Sequence, residues 1–260
     1  MSQFFIYPFN GRPVSAQVQN GTITDSAAGG AFTNTGSSVT NPMRLFDDSV
    51  ATATDFPAAH RVVMIDKGGA SVDQIDRIAF HSTADDAEDD GIRFFTNSAS
   101  NNSGTTPFGT IADVASGWNV LSVTAADSER YYYMAAYEGQ VNTITELIIG
   151  KKLDLTNVTL SGTEGVNYGN DTMFTRGGLE FSNQRHGKKR FFNFDLTFIN
   201  ETYKTSLETM RDSVDLSHHK FLYYDGNEYI YVRMSDDSLR FKEVAFGVYD
   251  TSIKLTEQLS

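Results

Sequence analysis

The chain has 260 residues, a formal net charge of −12, and no cysteine. The missing cysteine excludes disulfides, thiolate metal sites and a catalytic thiol, and the acidic balance argues against sequence-independent binding to a phosphate backbone. Nineteen Phe and twelve Tyr supply a packed core, while 21 Gly and many small polar residues mark a chain that turns often.

The charge is unevenly spread. Residues 1–150 hold seven basic and seventeen acidic side chains, residues 151–260 fourteen and sixteen, a shift that predicts two domains with different tasks. Residues 1–8 have no basic region and no apolar stretch of signal-peptide length. No apolar run approaches the ~18 residues of a spanning helix. The expectation is a protein without a standard export signal and without membrane insertion.

In chain order, residues 4–7 form a short apolar segment, and residues 20–41 are rich in Gly, Ser, Thr and Asn, read as short strands joined by turns. Residues 62–65 make a compact apolar run, followed by strand signals at 75–80 and 92–95. Further strands are predicted at 118–123, at the Tyr-rich 131–137 and at 144–150. Strands every ten or so residues with turns between them predict a sandwich or barrel.

Residues 151–178 read as a turn-rich connector. Beyond it Phe192, Phe194, Leu196 and Phe198 alternate with Asn193, Asp195 and Thr197, the pattern of a half-buried strand with the four apolar residues on one face. Asn200 is placed to cap a helix over about 201–214, whose apolar stripe is Tyr203, Leu207, Met210 and Val214. Residues 221–224 and 229–232 flank Asp225-Gly226-Asn227-Glu228, a hairpin signal, and strands at 239–246 and 249–255 close the chain.

Nucleotide-binding glycine loops, H-E-x-x-H and G-x-S-x-G are all absent. The pair His218-His219 cannot easily share one metal, because neighbours on a strand face opposite ways. No metal site and no catalytic residue is therefore assigned. The acidic loop holding Asp85, Asp86, Glu88, Asp89 and Asp90 reads either as a solvated charge run or as a Ca²⁺ loop; Asn97 stands where an EF-hand needs its closing Glu. The basic cluster Arg185, Lys188, Lys189 and Arg190 reads either as a charged turn or as a contact for an acidic partner, including the acidic part of a second copy. Tyr131, Tyr132 and Tyr133 are expected mostly in the core rather than on a sugar-stacking platform.

Two stretches carry resemblances. Leu45-Phe46-Asp47-Asp48-Ser49-Val50-Ala51-Thr52 resembles the early L-F-D-G-x-x-x-T turn of discoidin-like (galactose-binding-like) jelly rolls, with Asp48 in the Gly position. Arg130-Tyr131-Tyr132-Tyr133 with Ile144-Thr145-Glu146-Leu147-Ile148-Ile149-Gly150 resembles that fold's closing strands. The C-terminal part is similar to the β-domain of phage tail proteins of the distal-tail and minor-tail kind. The similarity lies in the order of Gly177-Gly178, Lys188-Lys189-Arg190, the Phe-rich strand, the helix, Phe221-Leu222-Tyr223-Tyr224 and the ending Leu255-Thr256-Glu257.

Together these predict a mainly all-β chain. Residues 1–150 would form a discoidin-like β-sandwich, 151–178 a connector, and 179–260 a small barrel-like tail-type β-domain with one helix. The resemblance implies a non-enzymatic, cofactor-free structural subunit of a phage tail or tail tip, located in the virion and assembled in the host cytoplasm. Such a subunit would form rings with copies of itself, dock other tail proteins and bind no nucleic acid. The alternative is a carbohydrate-binding module for host-surface glycans.

Overall fold

In a computed structural model the chain is built almost wholly of antiparallel strands, with one α-helix among the described residues. Those residues are 3–8, 13, 17–20, 22–23, 32–33, 39–57, 61–67, 75–84, 91–97, 106–111, 113–127, 129–136, 141–156, 158, 163–174, 176, 180–184, 187–215, 217–236 and 239–258. The chain divides into two units. One comprises Ile6–Lys152, the other Leu153–Leu259 together with Met1–Phe5.

The Ile6–Lys152 unit holds two sheets. In one, Gly117–Asp127, Ile75–Ser82 and Val141–Asp154 lie side by side, with Thr54–Phe56 on the start of the last strand. In the other the order is Val18–Asn20, Arg61–Asp66, Tyr131–Ala136, Ile92–Asn97 and Thr106–Ile111. The sheets pack face to face. Phe80 of the first meets Phe94 of the second with ring centroids 6.1 Å apart. A narrow apolar crevice between them is lined by Phe46, Ile65, Leu147 and Ile149 among others.

Tyr131–Ala136 is the central strand of the second sheet and all six of its residues are buried. Tyr132 and Met134 share the inward face with Val63, Ile65 and Phe94, by register. Val62, Met64, Phe95, Tyr131, Tyr133 and Ala135 form a second buried cluster on the opposite face. A strand covered on both faces needs a continuous apolar run instead of alternation, which is how 62–65 reads. The three tyrosines are core, as expected. Burial pushes the Tyr133 phenol up to about 12.

Gly150, within the strand Val141–Asp154, is needed because nothing larger fits. A Cβ there would stand 1.8 Å from the Tyr7 carbonyl oxygen.

In the second unit the sheet order is Phe221–Tyr224, Tyr229–Met234, Val248–Glu257, Lys189–Asn200, Thr163–Asn167, and Phe241–Ala245 pairs with the first half of Val248–Glu257. Asn170–Phe174 and Glu180–Gln184 form a separate hairpin. The stretch expected to be a turn-rich connector is thus largely strand. Its Val, Tyr, Met and Phe residues sit among turn formers, and pairing with the Phe-rich strand supplies what local propensity does not.

Phe5 also belongs with this unit, not with the domain expected over 1–150. Its ring meets Phe221 at 5.5 Å, Tyr223 at 5.8 Å and Phe194 at 6.2 Å. A short apolar segment at a chain end carries no mark of which core it fills. Tyr223, 2% exposed, is the hub, with Phe192 at 5.1 Å and Phe194 at 5.2 Å.

Helix Glu201–Ser213 starts as predicted. The Asn200 side-chain oxygen accepts the Tyr203 backbone N–H at 2.8 Å. Leu207, Met210 and, at the C-cap, Val214 are buried. The hairpin at Asp225–Glu228 closes with the Asp225 carboxylate accepting the N–H groups of Asn227 (2.7 Å) and Glu228 (2.9 Å), and Gly226 takes a φ of 109°.

The expected alternation along Lys189–Asn200 fails at one place. Phe192, Phe194 and Leu196 are buried, but Phe198 is 72% exposed and Ile199 is buried in its stead. The register against Val248–Glu257 shifts between Leu196 and Ile199. That β-bulge adds a residue to the strand and turns the rest of it over.

Candidate assembly surface

The basic cluster divides. Arg185 lies outside the described residues. Lys188 is exposed and Lys189 half-buried at the start of the long strand. Arg190 is engaged within its own unit. Its guanidinium donates to both oxygens of Glu257, Nε to Oε2 at 3.1 Å and Nη2 to Oε1 at 2.8 Å, and its backbone N–H donates to Oε2 at 2.9 Å. Nη1 donates to Glu228. These hydrogen bonds outweigh the cost of burial and raise the already high pKa of Arg190. Burial pushes the Glu257 carboxyl up, but the bonds from Arg190 more than offset this and hold it below the usual carboxylate range. The ladder places the two side by side, since Phe191 pairs with Thr256.

The acidic loop residues Asp85, Asp86, Glu88, Asp89 and Asp90 lie outside the described residues. Among the described residues no group of three or more His, Asp or Glu side chains is close enough together to hold a metal ion.

Sequence patterning did not reveal the most exposed apolar residues. Phe241–Ala245 and Val248–Glu257 make a hairpin around Phe246-Gly247, with Gly247 at φ 68°. Residues 242–245 are exposed along the strand, on both faces of it. At its tip Phe246 is fully exposed (101%), and Val244 is exposed behind it. Phe198 adds a third apolar side chain, in the left-handed region at φ 54°. Its backbone N–H donates to the Asp250 carboxylate at 2.9 Å, which ties the bulge to the same hairpin.

The hairpin is held right up to its turn, because Val248 and Tyr249 pair with Asn200 and Ile199 of the long strand. Lys204 of the helix stands 4.3 Å from the Tyr249 ring centroid and 5.9 Å from that of Phe241, and pairs with Glu201 at 3.1 Å. Hydrogen bonds from Tyr249, and then from Lys204, lower the Glu201 pKa. The result is a sheet-edge arm, Phe241–Gly247, held by the last strand and the helix, whose turn carries exposed apolar side chains. A usable signal existed in the sequence: an aromatic immediately before the turn Gly of a hairpin has no core to fill.

A second exposed region lies at the sheet edge. Thr163–Asn167 is the last strand, exposed at four of its five positions, with Val166 and the following Tyr168 outward. Phe174 of the neighbouring hairpin is 71% exposed. The Phe191 ring lies across Gly165, its tip 2.2 Å from where a Cβ would stand, so a larger residue here would displace that ring.

In the other unit the two resembling stretches make internal contacts. Asp47 accepts the Thr52 hydroxyl at 2.5 Å and the Ser49 N–H at 3.0 Å. Asp48 takes φ 61°, the left-handed conformation that a Gly at this place adopts without strain. Arg130 donates to both carboxylate oxygens of Asp66, at 2.8 and 2.7 Å.

No family model matches the chain, and no curated protein is significantly similar to it. Similar solved structures include two modules. One is the module CBM32-1 of a family 31 glycoside hydrolase from Clostridium perfringens, 11% identical with a TM-score of 0.37, covering 55% of this chain and 99% of that one. The other is chitosan-binding module 1 of a chitosanase/glucanase from Paenibacillus sp. IK-5, 14% identical with a TM-score of 0.39, covering 56% and 99%. Likeness at this level carries no function across.

Proposed function

We propose that the chain is a non-catalytic structural subunit of a phage tail or tail tip. It assembles into rings with copies of itself through its Leu153–Leu259 unit, docks other tail proteins, and carries the Ile6–Lys152 unit as a peripheral module. It resides in the virion and is assembled in the host cytoplasm. The observation that carries this reading is the arm ending at Phe246. Residues 242–245 are exposed on both faces of their strand, and Val244, Phe246 and the nearby Phe198 leave apolar surface exposed that packing within the unit does not cover. Covering each such side chain in an interface contributes roughly 1.5–3 kcal/mol, and aromatic residues are enriched in interface cores. The order of Gly177-Gly178, Lys188-Lys189-Arg190, the Phe-rich strand and the helix, which resembles that of tail β-domains, supports the same role.

Light scattering on the purified protein, with negative-stain images of the same fractions, tests it. Closed rings are expected, and Val244→Ser with Phe246→Ser is expected to return them to monomers. A monomer at every concentration would overturn self-assembly.

The second reading is glycan recognition by the Ile6–Lys152 unit. It is supported by the discoidin-like turn, in which Asp47 and Thr52, the two polar positions of the motif, bond each other. Calorimetric titration with galactosides and chitosan oligomers tests it. No heat with either removes this reading.

A further inference from the structure

Resting on the self-assembly reading, we infer that the arm of one copy docks on the open sheet edge of the next, with Phe241–Ala245 adding antiparallel to Thr163–Asn167. Both strands lie at margins of the same unit. Phe241–Ala245 pairs only with Val248–Glu257, and Thr163–Asn167 only with Lys189–Asn200, among the described residues. An edge strand presents a row of backbone donors and acceptors that a strand of another chain can complete.

The side chains select one register. With Val166 opposite Val244, the small Gly165 faces Ala245 beside the ring of Phe191. Asn167 then faces Glu243, and Lys242 comes over the exposed Tyr168. Directly opposed residues of an antiparallel pair share a face. This register therefore joins the two exposed valines on one face and gives the ammonium group an aromatic partner on that same face.

Charge favours a second copy as the occupant. Residues 151–260 are nearly balanced, with fourteen basic and sixteen acidic side chains, so this unit meets itself with little repulsion. Residues 1–150, with seven and seventeen, do not. Because the arm and the edge are different surfaces, the contact is heterologous, and each copy can be donor to one neighbour and acceptor to another. That is the geometry from which rings or open filaments are made.

The absence of cysteine makes the register directly testable. Val166→Cys and Val244→Cys are introduced in separate chains, mixed and oxidised, with Ser122→Cys, an exposed position of the other unit, as control. A disulfide-linked dimer is expected only from the Val166→Cys and Val244→Cys mixture, and the double variant is expected to give a ladder of linked species. Loss of that dimer, or a dimer formed by Val244→Cys alone, overturns the inference. Light scattering on the unmodified chain separates the two levels. Rings without the cross-link leave self-assembly standing and remove this interface, whereas monomers without it remove both.

Discussion

The guanidinium of Arg190 and the carboxylate of Glu257 close a two-pronged ion pair, reinforced by the Arg190 backbone N–H. The pair joins the two strands that form the middle of the C-terminal sheet. Arg190 comes from the basic cluster and Glu257 from the chain's last strand, so two separate marks in the sequence prove to be one structural clasp. Of the described cluster residues, Lys188 is the exposed one.

The pair sets a pH dependence. Glu257 titrates below its ordinary range when folded, so its contribution is fully present above the unfolded value of about 4.3 and disappears as pH falls through the lower folded value. Glu257→Gln should lower stability by about 1–3 kcal/mol at neutral pH, since a hydrogen-bonded ion pair is lost. The difference from the parent should vanish at the most acid pH. Thermal unfolding from neutral to pH 3 measures both.

Lys188→Glu should leave stability within about 0.5 kcal/mol, because Lys188 is exposed and exposed charges contribute little, whereas Lys189→Glu sets a second carboxylate near Glu257 and should cost more. If the basic cluster takes part in assembly, the two changes together should lower the scattering mass at low salt. Unchanged mass would remove these lysines from the interface.

Phe198 occupies a left-handed conformation that costs a bulky residue about 1 kcal/mol, while Asn tolerates it. Phe198→Asn should therefore raise unfolding stability by about 0.5–1 kcal/mol and weaken assembly at the same time. Denaturant unfolding and light scattering of one variant test both halves. A loss of stability would show that the ring packs on its own unit.

Asn200→Ala removes the cap of the helix that holds the base of the arm, and should cost about 1 kcal/mol. Gly150→Ala is expected to be far worse, beyond about 4 kcal/mol. Its added carbon overlaps the Tyr7 carbonyl, and two backbones must separate to admit it. Circular dichroism and expression yield distinguish the two.

Much of the fold was legible in residue order. The compact run at 62–65, the β-prone tyrosines from 131, the capped stripe from Asn200 to Val214 and the Asp225–Glu228 turn depend on contacts within a few residues or on a strand's own period. Phe198 was misplaced because a bulge changes the period without marking the sequence. Phe5 was misplaced because five residues hold too little pattern to name their core. The candidate surface was legible only in part. Charge drew attention to Arg190, which the tertiary structure turns inward, and away from Val244 and Phe246, which it leaves outside.

By itself the sequence determined an all-β chain with one helix, free of thiol chemistry and charged unevenly along its length, because composition and local periodicity act without reference to distant residues. Tertiary structure alone decided which apolar side chains stay uncovered, which charges cancel one another, and which strands end a sheet. Those outcomes depend on pairings such as Arg190 with Glu257 and Gly150 with Tyr7, between positions far apart in the chain, and local sequence carries no record of which distant partner will arrive.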